Sequence, residues 1–342
     1  MTSRAATPSR MALEIAEIPA AAARLFAQDA AFAAASAAIA KAEPPFAVIC
    51  GRGSSGHAGV HLRYLIETRL GIAVSAAAPS VVTSYRRPSA LRGALFVVIS
   101  QSGGSPDLVA ATKAAEEAGA LTLAIVNETD SPVADAARLV LPLAAGPEIS
   151  VAATKSVVSS MLAGARLVAA VAGDDDLLAA CRAAPGRLQA ALALDWSRWG
   201  ASLATARAAF VAARGYGFGP AREIALKVSE TVRLPALGYS AAELRHGPRA
   251  AIAPDTPVLA LRQADGTAET VDGLAADLAA AGEPVFVAGG PASTLPWIGD
   301  GHPVLDPVVM LVPAYAAIEA ATRAKGYDPD RPPFLQKVTR TL

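Results

Sequence analysis

The 342-residue sequence is 53% apolar and balances 30 basic against 30 acidic residues. That is enough apolar material for one large domain or two ordinary ones, and no overall field draws in nucleic acid or an anionic membrane. Cys50 and Cys181 form neither a secreted disulfide framework nor a CxxC metal motif, so they read as structural thiols of a cytoplasmic protein. The opening "MTSRAATPSRMALEIAEIPA" has no long apolar core, and charges or prolines interrupt every apolar run before ~18 residues; a soluble, unprocessed chain is expected.

Residues 11–41 are alanine-rich, with Leu13, Ile15, Ile18, Leu25 and Phe26 spaced as on a helical face, and predict a helical lead-in over 1–40 broken at Pro19. "FAVIC" (46–50) then predicts a strand, followed by "GRGSSG" and a helix to about Arg69. After it come the strands "IAVSAA" and "ALFVVIS", the helical "PDLVAATKAAEEAG", the strand "LTLAIV", a short "LVLPL", and a long helix from about Ala153 to Ala172. Strands alternating with helices of this length predict βαβ units and a parallel sheet.

The pattern restarts in the second half. "AFVAARGYGFGPAREIALKVSET" (209–231) parallels "AVICGRGSSGHAGVHLRYLIET" (47–68), and Arg52 and Arg214 lie 162 positions apart. The same offset carries Gln101 onto Gln263 in "VLALRQADGT". The chain therefore reads as two related α/β halves, 41–175 and 197–342, each a doubly wound, flavodoxin-like parallel sheet flanked by helices. They are joined by a helical linker over 176–196 that "GDDD" and "APG" interrupt. Where the first half has Ser100, Ser102 and Gly103, the second has Arg262, Ala264 and Asp265. Hydroxyls are lost and a carboxylate gained, so only the first half is expected to hold an anion.

"VVISQSGGSPDL" places its polar residues beyond the carboxyl end of a strand, where doubly wound sheets bind ligands. Ser105 fits the N-cap of a helix opening at Pro106, so free N–H groups and the positive end of the helix dipole face the same space as the hydroxyls of Ser100 and Ser102. That suits a phosphate without a lysine. An ordinary capped turn is the alternative. "CGRGSSGHAG" has the G-x-G-x-x-G spacing but no acidic residue at the end of the next strand, which disfavours a dinucleotide. His57 and His61 are one helical turn apart with no third ligand nearby, so neither a metal nor a cofactor is expected. In the second half, Lys227 and Glu230 share a helix face, where the plain reading is a surface ion-pair network of Glu223, Lys227 and Glu230. His246 in "AELRHGP" sits in a loop, and Lys337 in "PPFLQKVTRTL" near the end of the chain.

"SQSGGSPD", "EISVAATKS", "EIALKVSET", "AELRHGP" and "FLQKVT" occur in this order along the chain. Together they resemble the isomerase part of glucosamine-6-phosphate synthase and its relatives, proteins with two sugar isomerase (SIS) domains. The resemblance implies a phosphate site at Ser100, Gln101, Ser102 and Ser105 and a sugar site at Gly53, Ser54, Ser55 and Val151, with Ala153 standing where the family has a serine. It also implies Glu230 as the proton-transferring carboxylate, His246 as the ring-opening histidine, Lys337 as the Schiff-base lysine and Lys227 as a supporting lysine. A homodimer whose histidine loop reaches the neighbouring subunit's site is a further implication. The synthase carries an amino-terminal glutaminase domain with a catalytic cysteine, for which "MTSRAATPSR" leaves no room. The expected activity is therefore that of the SIS-type glucosamine-6-phosphate deaminase. The alternatives are a fructosamine-6-phosphate deglycase, another ketose 6-phosphate isomerase, or a non-enzymatic sugar-phosphate sensor.

Overall fold

The structure, a computed structural model, describes residues 7–87 and 89–337. The first six residues of the expected lead-in and the last residues of the "FLQKVT" tail, Val338 and Thr339, lie outside them. The lead-in comprises α1 (Arg10–Ala16), α2 (Ile18–Phe26) and α3 (Asp29–Ala42). Pro19 does not break it: the break falls at Glu17, and Pro19 occupies the first turn of α2, where a missing N–H leaves no hydrogen bond unmade.

The first sheet follows as β1 (Phe46–Cys50), α4 (Gly53–Leu65), β2 (Ala73–Ala76), α5 (Pro79–Thr83), β3 (Leu95–Ser100), α6 (Pro106–Glu117), β4 (Leu121–Val126), α7 (Pro132–Ala136) and β5 (Leu139–Pro142). All its pairings are parallel, in the order β2-β1-β3-β4-β5. This order reverses direction between β1 and β3, and the crevice above that reversal is where such sheets bind ligands. β3 is buried along its whole length, which explains its unbroken apolar run: both faces are covered by helices.

Three helices, α8 (Lys155–Ala172), α9 (Asp175–Ala191) and α10 (Ser197–Thr205), lead to the second sheet. By length and composition α8 could cross a membrane, but 78% of it is buried inside the protein, the condition of a core helix. "GDDD" falls at the break between α8 and α9, where Gly173 closes α8 in the left-handed conformation, but "APG" does not interrupt α9. Asp174 caps α9 by accepting from Leu177 N, and the helix runs through Pro185 because Leu177, Cys181, Ala184, Leu188 and Ala191 bury one continuous face. Packing there outweighs the lost backbone bond.

The second half repeats the plan: β6 (Ala209–Ala213), α11 (Phe218–Lys227), β7 (Ala236–Ser240), α12 (Ala241–Arg245), β8 (Val258–Leu261), α13 (Ala268–Ala280), β9 (Val285–Ala288), α14 (Asp306–Val309) and α15 (Leu311–Ala324). Its strands are parallel in the order β7-β6-β8-β9. The internal repeat is visible in detail. Both α4 and α11 run into a five-residue π-helical turn, Ile66–Leu70 and Val228–Val232, each closed by a left-handed residue, Gly71 or Arg233. These two helices pack on each other at Gly219, where an added Cβ would stand 2.7 Å from the His57 carbonyl oxygen. That close approach brings the end of α11 beside the mouth of β1.

Candidate active site

A cleft of about 200 Å3 opens at the β1/β3 reversal. It is lined from the first half by Gly53, Ser54 and Ser55 at the start of α4 and by Ser100, Gln101, Ser102 and Ser105 between β3 and α6. Val151 and Ala153 precede α8, Lys227 and Glu230 come from the end of α11, and Lys337 comes from the tail. Every site residue expected from the sequence meets here except His246, which is exposed at the end of α12 and does not line this cleft.

The loop after β3 is shaped to donate. Ser100 Oγ accepts from Gly103 N at 3.1 Å and Ser102 Oγ from Gly104 N at 3.3 Å, which leaves both hydroxyl protons for a guest. Gly103 has φ of 60°, and a Cβ there would lie 2.0 Å from Ser131 Oγ, so only glycine fits. Ser105 occupies the N-cap of α6 as expected, yet its hydroxyl makes no capping bond. It remains available beside the first N–H groups of the helix. The sequence reading needed no cation here, but the structure supplies one: Arg52 lines the cleft, its Nε and Nη2 both 2.5 Å from Oδ2 of the buried Asp107. An arginine anchored on one edge keeps its remaining donors for an anion.

The corresponding loop of the second half is closed by its own side chain. Asp265 accepts from Thr267 N at 2.8 Å, Thr267 Oγ1 at 2.6 Å and Gln263 Nε2 at 3.2 Å. Its carboxylate takes up donors that would otherwise face an anion.

The ion-pair network on α11 is buried rather than solvated, which corrects the surface reading. Glu223 is 0% and Lys227 1% exposed, because this face of α11 packs on α4 and α15. Glu223 accepts from Ser54 Oγ at 3.0 Å, His57 Nδ1 at 3.0 Å and Tyr315 Oη at 3.4 Å, with Lys227 Nζ at 3.5 Å. Lys227 Nζ also donates to Glu230, the most accessible member of the set. Burial alone would pull the Lys227 pKa down; Glu223, Glu230 and the more distant Glu148 outweigh it and raise it above the ordinary lysine value. Lys227 is thus a fixed ammonium, able to stabilise negative charge but not to act as a base at neutral pH.

Lys337 is placed in the same cleft, 3.0 Å from Glu148 Oε2 and 2.8 Å from the Ser150 carbonyl oxygen. Glu148 is buried, which by itself would raise its pKa, but the Lys337 charge and donation from Ser156 Oγ, Ser156 N and Thr154 N hold it below the usual carboxylate range. His57 and His61, weighed as a metal pair, point elsewhere: His57 to Glu223, and His61 Nδ1 to the Tyr216 carbonyl at 3.0 Å.

Five residues of this arrangement were not assigned from the sequence: Arg52, His57, Asp107, Glu148 and Glu223. Glu148 and Glu223 each open one of the quoted motifs, "EISVAATKS" and "EIALKVSET", so the signal was present; their burial was not visible.

The sequence profile of one family, the SIS domain, matches residues 43–170 and 202–295. The chain belongs to the SIS domain family. A glutamine–fructose-6-phosphate aminotransferase (isomerizing) of Zymomonas mobilis is 32% identical over 305 residues, covering 83% of this chain and 50% of the relative. The chain thus spans about half the length of the curated relatives it matches. A Silicibacter pomeroyi protein described as a candidate phosphosugar isomerase superposes with a TM-score of 0.90 at 38% identity, over 94% of this chain and 100% of the other. A glucosamine-6-phosphate deaminase of Thermotoga maritima shares the fold, with a TM-score of 0.79 at 21% identity over 97% and 100% of the two chains. Both matched segments of this SIS chain contribute to the cleft.

Proposed function

We propose that this SIS chain converts glucosamine 6-phosphate to fructose 6-phosphate and ammonia. The observation that carries the reading is the convergence, in one cleft, of a hydroxyl-rich loop and Arg52 with Glu230, Lys227 and Lys337. Ser100, Ser102, Ser105 and Arg52 hold the phosphate, and this binding, remote from the reacting carbons, keeps them in register. Ser54 donates to Glu223, so its oxygen accepts a sugar hydroxyl. Once the hemiacetal opens, Glu230 removes the C2 proton as the aldehyde becomes an enol, and the Lys227 ammonium offsets the negative charge on the oxygen. Return of the proton to C1 gives the 2-imine, and one water cleaves its C=N bond to yield ketose and ammonia. Lys337 lies where it can engage the carbonyl at C2 of the ketose.

The two thiols of this chain take no part in the proposed reaction. Cys50 and Cys181 are both buried and pushed up to about 12, so neither is poised as a thiolate. His246, exposed and outside its own cleft, is assigned to ring opening in a second copy's cleft. A preparation that is active and purely monomeric by size-exclusion chromatography would refute that assignment.

The test is incubation of the purified protein with glucosamine 6-phosphate, following ammonia and fructose 6-phosphate, beside Glu230→Gln. Ammonia release abolished by the substitution is expected; none above that control sinks the reading. Release of a free amino acid from a fructosamine 6-phosphate would move the substrate to a deglycase, and binding without turnover would make the chain a sensor.

A further inference from the structure

The lead-in helix α1 has no place in the proposed chemistry, yet it makes one of the most heavily bonded carboxylates in the protein. Glu14 is 6% exposed and reaches across to the segment before α8: one oxygen accepts from Ile149 N at 2.5 Å and Ser150 N at 3.1 Å, and the other from Ser150 Oγ. Ser150 presents its carbonyl to Lys337 Nζ, and the next residue, Val151, lines the cleft. The start of α1 is tied to the tail. Asp330, seven positions before Lys337, accepts from Arg10 N and Met11 N at 2.9 Å each, and Ser9 Oγ donates to Glu319 of α15 at 2.7 Å.

We infer that α1 is a clasp and Glu14 a positioning residue, fixing the Ser150 carbonyl that orients the Lys337 amine while Asp330 fixes the stem from which that lysine hangs. Three donors converge on the Glu14 carboxylate, two of them on one oxygen that an amide could also supply. Removing it strips the Ile149 and Ser150 N–H groups of their acceptor; Ser150 is buried, and its N–H recovers a partner only if residues 148–151 shift. Among the described residues the hydrogen bonds of Glu14 go to Ile149 and Ser150 and none to the phosphate loop, so its influence falls on the reacting end of the cleft and not on the anchor.

The clasp itself rests on geometry alone; its effect on turnover rests on the reaction proposed above. Two readouts keep these apart. Hydrogen exchange on the full chain should quicken by about tenfold or more at 148–151 and 330–337 in Glu14→Ala, with α6 and β3 unchanged, and return toward wild type in Glu14→Gln, which keeps an acceptor oxygen. In the deaminase assay, kcat of Glu14→Ala should fall about 10- to 100-fold while KM stays within about threefold, with Glu14→Gln recovering most of the loss. Exchange at both segments that matches wild type overturns the clasp. Faster exchange with unaltered kcat overturns the positioning role. A wild-type protein without turnover refutes the proposed reaction and leaves exchange to decide the clasp.

Discussion

His61 gives this fold a quantitative acid sensitivity. It lies on α4 at the contact with the second half, 0% exposed, and its Nδ1 must carry the proton because its partner there is the Tyr216 carbonyl. Nε2 has no partner, so protonating it would place a charge in an apolar seam; burial lowers its pKa to about 4, the carbonyl only partly opposing. In the unfolded chain the ring titrates near 6.5. The unfolded state therefore binds more protons between these values, and stability falls as pH drops from 6.5 towards 4. Linkage makes the loss about 2 kcal/mol between pH 7.5 and 5, approaching about 3 kcal/mol once both states are protonated. Urea denaturation at pH 7.5 and 5 of the wild type and of His61→Phe measures it. The variant starts about 1 kcal/mol lower for want of the Tyr216 bond, but should lose about 2 kcal/mol less on acidification. Equal losses in the two proteins would show that His61 is not the buried neutral ring described here.

Gly219→Ala places a methyl 2.7 Å from the His57 carbonyl, forcing α4 and α11 apart; a drop of about 1–3 kcal/mol is expected in a thermal or urea melt, together with weakened turnover as Glu223 and Lys227 move. Because both cysteines are buried with pKa near 12, Ellman's reagent should find no thiol in the native protein and two in denaturant; fast native reaction at either would contradict their burial. Ser102→Ala removes one donor from the proposed phosphate site and should raise the dissociation constant for a sugar phosphate about tenfold with little change in kcat, and an unchanged affinity measured by calorimetry would remove Ser102 from the anchor.

The parallel sheets and their duplication were legible in the sequence because β1 and β6 are each followed by Arg-Gly, a glycine-rich turn and a helical stretch ending in Glu-Thr. So was the β3 loop, since serines and glycines between an apolar strand and a proline leave few other uses. Pro19 and "APG" misled for one reason: a proline's effect depends on whether its missing bond falls in a first turn or is outweighed by packing, and neither is local. The α11 network misled likewise. The i, i+3 and i+4 spacing of Glu223, Lys227 and Glu230 gives the face but not what covers it, and α4 and α15 come from distant parts of the chain. Arg52 went unassigned because its partner, Asp107, is 55 positions away.

The duplicated plan ends in a division of labour. The first half contributes the anion loop, while α11 of the second contributes the lysine and carboxylate that sit over the bound sugar in the proposed reaction. The second half's own loop has become a sealed bracket, its donors satisfied by Asp265. On the proposed reaction, either half expressed alone would carry an incomplete site, one with the anion loop and no Lys227–Glu230 pair, the other with the pair and a loop whose donors Asp265 occupies. The packing of α4 on α11, more than either sheet, is what makes the chain a single functional unit.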